Sequence, residues 1–218
     1  MKTNFIKLLF VAFVSVSLFS CKDKAKEAET SAAEAVIEAA PEATTYNADL
    51  SASKIAWKGF KPTGEHYGYI SLTEGVLNTT DGEIAGGSFT IDMKSIMVTD
   101  IPAEEKGNAK LVSHLSNEDF FDVEKYPTAT FKITGIEKQE GKTLLSGNLT
   151  LKEATNNVTF PVTVTNTGDV LTLESETFTI DRTKWNVEYG SKSIFDNLGD
   201  KFINDDIELK VSLKASKS

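Results

Sequence analysis

One cysteine, two histidines and five prolines stand in a chain of 218 residues. The lone Cys21 has no partner for an internal disulfide, so a disulfide scaffold is excluded. His66 and His114 are too few for a His-based metal cage. The low proline and the 14 glycines exclude collagen-like and low-complexity classes. Basic residues are outnumbered, 23 against 32, which gives a net charge of −9. A net acid without a basic block lacks the clustered cations that phosphate contacts need, so nucleic acid is not an expected partner. No glycine-rich phosphate loop and no nucleophile–base constellation occurs. Ser113 and His114 are adjacent in sequence, and neighbouring side chains do not point at each other. Asp119 and Asp122 read as cap and turn residues. Asp205-Asp206 reads as a solvated turn without the spacing of a calcium loop. The expectation is therefore a protein that is not an enzyme and needs no metal or cofactor. A hydrolase of hydrophobic substrates is the disfavoured alternative.

Long hydrophobic runs are also scarce. Lys2 and Lys7 precede one apolar stretch, Leu8 to Phe19, too short to span a bilayer comfortably. Cys21 follows at its end, after Leu18-Phe19-Ser20, with Leu three before it and a small residue one before. This resembles a lipobox, although Phe19 is bulkier than the usual residue there. Residues 1–20 are read as a lipoprotein signal peptide and Cys21 as the acylated first residue of the mature chain. Two or more acyl chains hold a protein on a membrane, each buried methylene adding about 0.8 kcal/mol. The expected location is the cell envelope, periplasmic or surface-facing. The oligomeric state stays open.

Residues 22–45 contain eight Ala and six Asp or Glu, and no aromatic residue. Such a segment buries too little surface to offset its ordering entropy. Together with Cys21 it is expected to be a disordered tether with fraying helix, ended by Pro41. As a coil it would span roughly 27 Å.

From Tyr46 onward the apolar period becomes two, the mark of half-buried strands. Phe89, Ile91 and Met93 share a face, as do Phe131 and Ile133 with Ala129. Leu145, Gly147, Leu149 and Leu151 alternate with polar residues, as do Val158, Phe160, Val162 and Val164. Phe178 and Ile180 form a further face, and Ile207, Leu209, Val211 and Leu213 end the series. Asp81-Gly82, Gly141, Asn156-Asn157 and Gly168-Asp169 supply turns. Over residues 46–215 the reading is all-β and antiparallel, and closure into a barrel of about eight strands would remove its edges, although the period alone does not separate a barrel from a sandwich. Residues 104–122 are expected as two short helical pieces, with Ser116 and Asp119 in a capping box. Residues 191–203 are expected as another helix, stopped by Gly199. Such helices would cover the barrel ends.

The chain uses Lys 22 times and Arg once, at Arg182. A guanidinium offers a rigid fork of donors and stays charged when buried. Arg182 is either a structural ion pair, a stack on Trp185, or a head-group contact at the barrel mouth.

The stretch SHLSNEDFFDVEKYPTATFKITGI (113–136) resembles the signature of the YceI-like family. GSFTIDMKSI (87–96), GNLTLKEATNNVTFPVTV (147–164) and TIDRTKWN (179–186) match in the same order. Glu153 departs where many members have Gly, and residues 183–190 depart from the common Ser-Asp-Phe-Gly pattern. The resemblance implies a lipocalin-like barrel that binds a long isoprenoid, an isoprenoid quinone or a related lipid in its lumen. The ligand-lining candidates are then Trp57, Phe89, Ile91, Met93, Phe120, Phe131, Ile133, Leu149, Phe160, Phe178 and Arg182. The rival reading is a ligand-free interaction or stress-protection module whose inward side chains simply fill the barrel.

Overall fold

Alternation of apolar and polar residues makes strands, and short left-handed turns join them. The computed structural model describes residues 25–139 and 141–218, so the signal-like segment and Cys21 lie outside the described residues. The strands are β1 (Lys26–Glu27), β2 (Glu29–Ala32), β3 (Thr44–Ala48), β4 (Lys54–Lys61), β5 (Gly64–Ile70), β6 (Leu72–Thr80), β7 (Glu83–Asp92) and β8 (Met97–Val98). After one helix, α1 (Lys106–Ser116), come β9 (Thr128–Gln139), β10 (Lys142–Leu151), β11 (Ala154–Asn166), β12 (Val170–Ser175), β13 (Phe178–Asp181) and β14 (Asp206–Lys217). Between Thr80 and Glu83, Asp81 and Gly82 both have positive φ, 53° and 81°. That is the two-residue turn whose twist suits a hairpin.

Eight strands close the ring in the order β12-β11-β10-β9-β7-β6-β3-β14, and β14 pairs back to β12. Every pair in the ring is antiparallel. The expected antiparallel eight-stranded barrel is therefore present. The β4–β5 hairpin and β8 extend the wall beyond β14 at one end.

Two expected helical regions differ. Residues 104–122 hold a single helix, α1, and the chain then turns. Asn117 rather than Ser116 caps this turn, its Oδ1 accepting from the Asp119 N–H at 3.1 Å. Residues 191–203 form no α-helix, only a 3-10 turn at Gly199–Lys201. Ile194, four before Leu198 as one helix face requires, is exposed instead, and Leu198 is only half-buried. With no apolar surface offered to Ile194, the helical spacing has nothing to pack against.

The expected disordered tether is a correction too. From Lys26 the segment forms strand: β1 runs parallel to β13, and β2 runs antiparallel to β11. Its backbone groups are bonded to strand edges, which its composition alone did not foretell. Ala28 is only 6% exposed. Farther along, Asn148 receives the Glu34 N–H at 3.0 Å and donates to the Glu34 carbonyl at 2.7 Å.

Candidate functional site

The inward faces of the strands do not meet at the barrel axis. They wall a cavity of about 200 Å³. A void of that volume in a solid core would cost about 5 kcal/mol at ~24 cal/mol per Å³. Native interiors keep few voids larger than a water molecule. A barrel that carries this one is built around a space.

Ten of the eleven candidates line it: Trp57, Phe89, Ile91, Met93, Phe120, Phe131, Leu149, Phe160, Phe178 and Arg182. Ile133 does not. It is fully buried, but its Cδ1 lies toward Gly87, 3.2 Å from where a Cβ on that glycine would stand. It fills the barrel beside the cavity, next to a register shift between β9 and β10. The period placed it on the right face, and depth along the barrel took it out of the site.

The aromatic wall has a definite order. Phe160 and Phe178 stack at 4.2 Å with planes 6° apart, and Phe131 tilts against Phe160 at 5.7 Å. Phe131 finds room because Gly147 faces it across the β9–β10 pair, where an added Cβ would lie 2.2 Å from the ring. Trp57 contributes an indole N–H that is buried and has no hydrogen-bond partner.

At one end the lining turns polar. Lys61, His66, His114, Arg182 and Asn204 border the otherwise apolar cavity there, and Leu111 and Leu115 of α1 also line it. Leu111 and Leu115 stand four apart, as one helix face requires, and that spacing does not announce His114 beside Leu115 on the lining side. His114 packs edge-on against Tyr189 at 4.8 Å and tilts on Phe120 at 5.7 Å. Burial, with Lys61 nearby, holds its imidazole below the usual histidine range, and Asp119 only partly offsets this. His66 binds Asp100 at 2.7 Å, a pairing across 34 positions that no local pattern announces. Burial alone would raise the Asp100 carboxyl. The Tyr67 N–H and His66 outweigh it and hold Asp100 below the usual carboxylate range.

Arg182 is 0% exposed. Its Nε donates to the Asn204 carbonyl at 3.1 Å, Nη1 to the Val187 carbonyl, and Nη2 to the Ile203 carbonyl at 3.1 Å. Nη2 also reaches Asp205 at 3.4 Å, and the guanidinium lies over Phe120 at 5.4 Å. Burial lowers its pKa, and Asp205 and Asp181 oppose that. It ties residues 182–187 to 203–205, so most of its fork is committed within the protein. Trp185 is not its stacking partner: the indole is buried and donates to the Leu149 carbonyl at 2.9 Å.

Among the described residues, no group of three His, Cys, Asp or Glu side chains is placed to hold a metal ion. A space with apolar walls and a few polar groups at one end can take a long apolar chain and leave a more polar end near the rim.

The model of the YceI-like domain matches residues 46–215. A UPF0312 protein of Vibrio parahaemolyticus is 36% identical over 101 residues, 45% of this chain and 51% of that protein. A UPF0312 protein of Photorhabdus laumondii is 35% identical over 132 residues, 55% of this chain and 59% of that protein. The chain thus spans about half the length of the curated relatives it matches. Among solved structures, BcnA of Burkholderia cenocepacia aligns with a TM-score of 0.57 at 24% identity, over 78% of this chain and 99% of that one. A polyisoprenoid binding domain from Saccharophagus degradans aligns with a TM-score of 0.57 at 14% identity, over 80% of this chain and 99% of that one. At these identities the two structures bear on the fold alone.

Proposed function

Starting from a chain that belongs to the YceI-like domain family, we propose that it binds one long lipophilic molecule, of the isoprenoid kind, in its barrel lumen. The apolar cavity carries this reading, because a filled core would have closed it. The name of the Saccharophagus neighbour, a polyisoprenoid binding domain, supports the same class of ligand. Burying about ten methylenes would contribute roughly 8 kcal/mol gross. Ordering the ligand takes back part of that. The role is binding rather than catalysis. Among the described residues, His66 bonds Asp100 and His114 packs on aromatic rings, and neither ring is seen hydrogen-bonded to a hydroxyl or thiol that could serve as nucleophile.

We place the protein in the cell envelope as an acylated lipoprotein anchored through Cys21. The lipobox-like sequence supports this. Cys21→Ser should move a correctly cleaved protein from the membrane fraction to the soluble one. A cleaved variant that stays bound contradicts the anchor.

The ligand reading is tested by thermal unfolding with an added long-chain isoprenoid. At a free ligand concentration a hundred times its Kd, wild type should gain about 2.7 kcal/mol. Leu149→Trp, which fills the lumen, and Phe160→Asp, which charges its wall, should each lose that gain. If no isoprenoid, quinone or fatty amide shifts the wild type, the reading fails.

A further inference from the structure

The wall of the barrel is not uniform. On β11, residues 162–166 pair with β12, but residues 156–159 do not pair with β13. The sheet splits there, and the N-terminal strand fills the split. Lys26 and Glu27 pair with Phe178 and Thr179 on one side, and Glu29 to Ala32 pair with residues 156–159 on the other. The two edges so bridged carry Val158, Phe160, Phe178 and Ile180, all of which line the cavity. The Phe160 and Phe178 rings stack across the split at 4.2 Å, and the inserted strand fills the rest of it.

That strand is weakly held for its position. Its Ala, Glu and Lys composition disfavours strand. Of its side chains only Ala28 is buried, and residues 31–36 are exposed. What fixes it is two short ladders, to β13 and to β11, with the Ala28 N–H to the Thr179 carbonyl at 2.9 Å, the Asn148 amide on both groups of Glu34, the Ile37 N–H to the Ile133 carbonyl at 3.0 Å and the half-buried Ile37 side chain against the core. Segments with few buried apolar contacts open locally at low cost. The polar end of the cavity is the opposite case. Arg182 bonds three backbone carbonyls there, in full burial, so opening that end strands several polar groups at once.

We propose that residues 26–37 are a removable strap over a lateral slot, and that a long-chain lipid passes through this slot into the lumen when the strap lifts. This rests on the lipid-binding reading. A slot along the barrel side admits a long chain sideways, without threading it end-on past the Arg182 knot. The strap also begins five positions after Cys21. If Cys21 is acylated, the slot lies within about 18 Å of chain from the anchor.

Two measurements test the strap on the full chain carrying Cys21→Ser. In hydrogen exchange, the Ala28, Glu34 and Ile37 amides should exchange by local opening, well before the amides of β9 and β10. In loading kinetics with a fluorescent isoprenoid, a disulfide between Glu29→Cys and Thr159→Cys, which are register partners, should slow uptake by about tenfold or more. Reductant should restore the rate, and Kd should stay within about twofold. Asn148→Ala, which releases Glu34, should instead speed uptake. Strap amides that exchange only with global unfolding refute the strap whatever the ligand does. Equal loading rates in stapled, reduced and Asn148→Ala protein refute the slot alone. A strap that opens in a protein that takes up no lipid in any form refutes the lipid-binding reading and the slot with it.

Discussion

Gly147 faces the lumen at a position where its neighbours along the strand are leucines, and the Phe131 ring lies where its side chain would stand. Gly147→Ala should push that ring off its place, costing about 1–3 kcal/mol as an overpacked core does. Urea denaturation measures it, and a neutral result would mean that Phe131 moves freely. Arg182 makes a sharper case. Removing it leaves the carbonyls of Asn204, Val187 and Ile203 buried without their donor. Arg182→Met should cost about 3 kcal/mol or more. A head-group contact predicts the reverse pattern, normal stability with weaker binding of polar-headed lipids. The singular arginine was legible as special in the sequence, but its carbonyl partners, five to 22 positions away, were not. His114 sets a pH dependence. Its folded pKa lies below its unfolded one, so the unfolded chain binds the extra proton. Stability from this group is present above about pH 6.5 and is lost as pH falls from there through the folded value. His114→Gln should flatten the denaturation midpoint between pH 7.5 and 5.5, and an unchanged slope would assign it elsewhere.

At the scale of elements, the strands were legible because one buried face per strand leaves a period of two. Phe89, Phe160 and Phe178 stand where that period puts them. The strap was not legible. Residues 26–32 show no alternation, and their strand conformation is imposed by the two open edges of β11 and β13. Residues 191–203 failed in the opposite direction, since a helical spacing is only a tendency until a surface accepts it. Phe195 remains 48% exposed. Docking of the strap changes what its loss should do. Asn148 and Asn157 are buried under it, 8% and 2% exposed, and Asn157 donates to both Thr134 and Asn148. Deleting residues 25–37 should leave the closed ring folded but lower its stability by about 1–3 kcal/mol, the worth of a few net hydrogen bonds. An identical melting temperature for the shortened and full chains would mean that the strap contributes nothing to the barrel.

The whole molecule is an acidic barrel closed by eight strands around an apolar space, with a polar rim at one end and a strand-filled split in its side. Inward alternation was within reach of the period alone, while closure into a barrel rested on the family resemblance. The presence of a space was not, because a filled and an empty lumen ask for the same pattern of residues. What separates them is how far the side chains reach, and that depends on Gly147, on the depth of Ile133 and on the tilt of Phe131 and Phe160. If this space holds a lipid, as we propose, native mass spectrometry of protein purified without detergent or organic solvent will detect it. We expect a fraction heavier than the polypeptide by one lipid mass, released by solvent extraction and restored by adding an isoprenoid. A single species at the polypeptide mass, unchanged after incubation with isoprenoids, would contradict it.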